Sequence, residues 1–198
     1  MILAKLKEAT KEQHNNLENT VDVMNQMFSH ENYKTLLTKF YRFYAAVEPK
    51  VAENDLEKAG FDFSARRKVP LLEKDLKALG IFENVQKEVS LWADLPALDS
   101  LGAAFGSLYV MEGATLGGQV IMRHLKQHLD ITPENGGAFF NSYGANVGPM
   151  WKDFCAITTE FAEKNQDDET IINAARETFD SFTECFSAPV FKEKGADV

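Results

Sequence analysis

His14, in the amino-terminal segment LKEATKEQHNNLE (6–18), is the side chain of this 198-residue chain best placed to do chemistry. It belongs to a stripe of Leu3, Leu6, Thr10, His14 and Leu17, whose three- and four-residue spacing puts it on the inner face of a helix. An imidazole there is either a satisfied core side chain or a metal ligand. Glu18 lies one turn further on, where a carboxylate can accept from one ring nitrogen and leave the other for a metal. Lys7 lies two turns back, about 10.5 Å away at 1.5 Å per residue. That separation suits a metal at the centre of a macrocycle and an acidic group at its edge; the other reading of Lys7 is a surface lysine.

The segment LGAAFGSLYVMEGATLGGQVIMRHL (101–125) is helical in pattern, yet it holds Gly102, Gly106, Gly113, Gly117 and Gly118. Each interior glycine costs about 1 kcal/mol relative to alanine, so something must offset the loss. At about 100° per residue the first four fall at about 0°, 40°, 20° and 60°, inside one stripe that also holds Tyr109. Such a bare face serves either close packing of a neighbouring helix or a flat ligand laid against the backbone. Spacing alone leaves both open. The Gly117-Gly118 pair adds a site for a kink.

The elements that must position these residues are helices. Breaks fall at Gly60, Val69-Pro70, Gly80, Pro96, 133–137 and 144–149, and between them apolar residues recur at helical spacing. The windows are 2–19, 31–53 with Ser29 as N-cap, 70–79, 83–92, 98–129, 149–164 and 168–187, and Pro49 is expected to kink or end the second. No stretch alternates as a strand does. The expectation is an all-α single domain of seven or eight helices over 1–187, with a tail at 188–198. Thirty acidic against 21 basic residues give a net charge of −9, which speaks against nucleic acid as a partner. Two cysteines, Cys155 and Cys185, make neither a disulfide framework nor a CxxC metal knot. No window approaches the ~18 apolar residues of a membrane span, and the first twenty residues have no secretory core, so a cytoplasmic protein is expected. A di-iron bundle is excluded, because no histidine has the required glutamate three residues before it. Trp92 and Trp151 read as core anchors.

Two of these segments carry a resemblance. LKEATKEQHNNLE resembles the proximal helix of heme oxygenases, and YVMEGATLGGQVI (109–121) resembles their distal helix in its bacterial form. AFFNSYG (138–144) and GPMWKDF (148–154) are also similar to segments of that family, in order along nearly the whole chain. The resemblance implies a helical fold with heme held between the two helices, and opening of heme to biliverdin, carbon monoxide and ferrous iron with O2. It implies His14 as axial ligand to the heme iron, Glu18 as its acceptor, and Gly113 and Gly117 as distal glycines over the heme. Lys7 and Tyr109 match positions that contact a heme propionate, Lys152 a further basic position at that edge, and Phe179 an aromatic contact. A non-catalytic heme carrier or sensor with the same ligation is the alternative. No GxGxxG fingerprint is present, so electrons are expected from an external donor, a separate reductase or ferredoxin. The chain departs from the family's animal members at Ala114, where they have an aspartate that orders water. It departs again at Ala156, where a propionate-fixing arginine is common.

Overall fold

The spacing of apolar residues translates into helices throughout, and the described residues contain no strand. The computed structural model describes residues 1–23 and 29–190; the expected tail, apart from 188–190, lies outside them. The chain begins with α1 (Ile2–Ala9) and α2 (Lys11–Val21), and α3 (His30–Ala52) follows. Next come α4 (Val69–Ala78) and α5 (Phe82–Glu88). A long glycine-bearing helix is divided into α6 (Leu101–Gly113) and α7 (Gly118–Leu129) by a 3-10 stretch, Ala114–Gly117. The short α8 (Ala138–Asn141), α9 (Val147–Asn165) and α10 (Asp168–Ser187) complete the described fold. With α1 and α2 counted as one interrupted helix and the single turn of α8 left aside, eight helices remain among the described residues, in line with the sequence. No helix among them is long and apolar enough to cross a membrane.

Local chemistry explains most boundaries. Ser29 caps α3 by accepting from the Asn32 N–H at 3.1 Å, and Ser100 caps α6 by accepting from Ala103 at 3.2 Å. Three expectations are corrected. The predicted helix 83–92 stops at Glu88, where Val89 turns extended and Trp92 donates its N–H to the Arg42 carbonyl. Pro49 does not end α3, which runs three residues past it to Ala52 because the missing donor lies near a terminus already short of partners. The window 2–19 is not one helix. Thr10 breaks it at φ −109°, ψ 7°, and its buried hydroxyl donates to the Leu6 carbonyl.

The core joins α3 to α8 and α10 through aromatic rings. Phe43 stacks on Phe182 at 4.1 Å, and Phe40 meets Phe139, Phe140, Phe182 and Phe186 at 4.9–5.8 Å. Each such buried ring contributes about 1.5–3 kcal/mol. Beside this cluster α10 packs along α6 and also meets α2, so the two segments that carry chemistry share one neighbour.

Candidate functional site

A cavity of about 530 Å³ lies where these helices meet, within the range of roughly 300–1,000 Å³ usual for small-molecule sites. It brings together six of the eight sequence-predicted site residues: His14, Glu18, Tyr109, Gly113, Gly117 and Phe179. Lys7 and Lys152 are not among its walls; both are exposed, on α1 and α9, which pack on each other.

His14 is not the satisfied core histidine of the bland reading. Its side chain is 53% exposed and lines the cavity. Phe179 of α10, itself buried, meets the imidazole edge-on at 5.7 Å and 70°, which limits ring rotation. Nδ1 lies 3.6 Å from the Glu18 carboxylate, an ion-pair distance beyond a hydrogen bond. That contact turns Nδ1 toward Glu18 and leaves Nε2 as the nitrogen for a metal. The break at Thr10 places Lys7 and His14 on different helices, so the 10.5 Å separation, which assumed one straight helix, does not apply. Burial pushes the Tyr109 phenol above its usual range, and the neighbouring Thr10 side chain opposes that. The Tyr109 ring sits 5.8 Å from Trp151, which walls the cavity and also packs against the core, stacked on buried Phe154 at 5.4 Å.

The glycine stripe serves both purposes that the sequence left open, in different halves. A Cβ on Gly106 would lie 2.3 Å from the Ile171 carbonyl oxygen and 2.8 Å from Ala174 Cβ. One on Gly102 would meet Asp167 at 2.1 Å, so these two glycines let α10 approach α6. A Cβ on Gly113 would find only Trp151, at 3.8 Å, and one on Gly117 nothing within 4 Å. Gly118 belongs with the packed pair, its Cβ position lying 2.1 Å from the Phe140 carbonyl oxygen.

Sequence reasoning missed a buried charged cluster beside the 3-10 stretch. Glu112, the residue before Gly113, accepts from Arg66 and Lys68 at 2.9 Å each and from the Tyr143 hydroxyl at 2.7 Å. Lys68 also donates to Tyr143 and to the Arg66 carbonyl, both at 2.6 Å, which uses all three of its hydrogens. Arg66 reaches Asp153 and the Met150 carbonyl as well. Burial pulls the Lys68 ammonium below its usual range while Glu112 and Glu48 pull it back; burial and Glu112 both raise the Tyr143 phenol. The segments meet only in three dimensions, and the visible clue was one carboxylate in an otherwise apolar helix.

The chain is similar to known proteins over nearly its whole length. The family model for heme oxygenase matches residues 1–188. A heme oxygenase of Xanthomonas campestris pv. campestris (strain 8004) is 29% identical over 159 residues, covering 80% of this chain and 90% of that one. Among solved structures, the NO- and CO-bound heme oxygenase of Neisseria meningitidis shares the fold with a TM-score of 0.76 at 24% identity, over 98% of each chain. The heme oxygenase of Leptospira interrogans superposes with a TM-score of 0.71 at 16% identity, over 94% of this chain and 98% of its own. With a family match spanning all but the last ten residues, the chain belongs to the heme oxygenase family and is an enzyme of that kind.

Proposed function

We propose that the cavity binds heme between His14 and the bare backbone of Gly113 and Gly117, and that the protein cleaves it to biliverdin, carbon monoxide and ferrous iron with O2. The observation that carries this reading is that an imidazole and two glycines with room for a Cβ line one cavity of suitable size. The residues present suit the group: a nitrogen ligand, an apolar and aromatic wall, and backbone that a flat ring can approach. The heme supplies the oxygen chemistry when bound.

The chain's own part is binding, orientation and exclusion. Glu18 biases the imidazole toward ligation through Nε2. Phe179 limits the ring's rotation, and Tyr109 in the cavity wall, with Lys7 and Lys152 exposed outside it, would pair with the heme propionates. No acid or base stands at Gly113, Ala114 or Gly117, so a ligand against these three residues would meet backbone and one methyl group. Electrons would come from an external donor, a separate reductase or ferredoxin, since the sequence carries no GxGxxG fingerprint.

Hemin titration is expected to give a one-to-one complex, with aerobic turnover under a reductant yielding a bile pigment identifiable by chromatography. In His14→Ala the iron–nitrogen stretch in resonance Raman spectra should vanish and turnover should fall by more than about 100-fold. Retention of that stretch would overturn the ligand assignment. A stable complex that gives no bile pigment would mark a carrier.

A further inference from the structure

The segment that follows Gly113 is poorly held by its own atoms. Residues 114–117 form a 3-10 turn, whose hydrogen bonds are weaker than those of an α-helix. Gly113, Gly117 and Gly118 bring no side chains to anchor it, and Ala114 and Leu116 are exposed. Two side chains tie it inward. Thr115 donates to the Glu112 carbonyl at 2.7 Å, and the Glu112 carboxylate takes three hydrogen bonds from outside the helix.

Those donors are themselves fixed. The buried carboxylate of Glu48 on α3 accepts from the backbone N–H groups of Lys68 and Val69, and also from Arg67. A continuous chain of contacts thus runs from α3 through residue 68 and its ammonium to Glu112, one residue before the cavity-lining Gly113. The cluster balances two cations, Arg66 and Lys68, against buried Glu112 and exposed Asp153. A neutral and fully bonded set of this kind orients groups well and adds little net stability.

We propose that Arg66, Lys68 and Tyr143 act as a clamp on Glu112 that sets the position of the 3-10 glycine backbone along the cavity wall. Arg66 and Tyr143 are positioning residues, acting through Glu112; Lys68 acts through Glu112 as well and itself lines the cavity. The proposal rests on the heme reading only for its consequence in turnover; the clamp itself is testable without heme.

Tyr143→Phe removes one hydroxyl that bonds both Lys68 and Glu112, and leaves every charge paired. In the hemin-free protein, amide exchange at Thr115, Leu116 and Gly117 should quicken by about fivefold, the effect of losing one hydrogen bond, with α10 unchanged. Equal acceleration in α10 would show a merely structural role and overturn the proposal. In the ferrous hemin complex probed with carbon monoxide, the parent is expected to show one C–O infrared band, and Tyr143→Phe a broadened or split one at unchanged hemin affinity. Lys68→Met should broaden the band further, and Lys68→Arg should restore it in part. Bands identical to the parent's in both Tyr143→Phe and Lys68→Met would sink the clamp. Failure of the parent to bind hemin would instead overturn the heme reading, with the exchange result still deciding the clamp.

Discussion

The two halves of the glycine stripe on α6 and its continuation share a residue type and a face, but not a reason for being glycine. Gly102 and Gly106 are bare because α10 lies against them; the missing atom would fall inside a backbone carbonyl at Gly106. Gly113 and Gly117 are bare with little or nothing in reach of the missing atom, and they line the cavity. In the first half apolar contact offsets the helical cost of glycine. In the second no protein contact offsets it, which is where a demand for function rather than stability is visible. The second half is held from outside by polar fixings, Glu112 on one flank and α8 on the other.

Substitution separates the halves most sharply at Gly106. A methyl group there must displace the α10 backbone, at a cost of about 1–3 kcal/mol or more that exceeds the roughly 1 kcal/mol of helix propensity regained. Thermal unfolding of Gly106→Ala is expected to fall by about 4–8 °C. An unchanged midpoint would mean that α10 does not depend on the close approach. At Gly117 the expectation reverses. Gly117→Ala has open space and should unfold within about 2 °C of the parent, while Gly117→Phe folds but loses on the order of 10- to 100-fold in bile-pigment formation. A Gly117→Phe protein with full turnover would remove that glycine from the heme face and leave the stripe as a packing device alone.

Much of this was legible before the fold was known. The His14 stripe, the Glu18 neighbour and the glycine register were read from spacing, and each of the seven helical windows contains a helix. What spacing could not supply was direction. Periodicity says that Gly106 and Gly117 share a face; only the fold says that α10 covers one and leaves the other bare. The Lys7 separation failed for a related reason, since Thr10 satisfies its hydroxyl locally and interrupts a helix that the apolar pattern drew as continuous. The Arg66–Lys68–Glu112–Tyr143 cluster was invisible because its members lie in separate segments, each with the composition of a solvated loop or of an apolar helix.

The contrast between contact and charge also has a pH signature, smaller than the effects above. Asp75 on α4 is buried and accepts from the Ala138 and Phe139 N–H groups at 2.8 Å each, which fixes α8, the element against Gly118 and the wall at Phe139 and Phe140. Burial raises its carboxyl to about 6, although both backbone bonds favour the charged form. A carboxyl raised above its unfolded value binds its proton more tightly in the folded chain. Its contribution is therefore fully present below about pH 4 and is lost as pH rises through 6. Asp75→Asn cannot titrate and carries a constant loss, because its amide nitrogen faces a donor. The parent's advantage over it should shrink by about 2–4 °C between pH 4 and pH 7. The decrement of Gly106→Ala, a matter of overlap alone, should stay level over the same range. Parallel curves for Asp75→Asn would mean that α8 is not held by a titrating group, and the division between a packed half and a charge-fixed half would then rest on Glu112 alone.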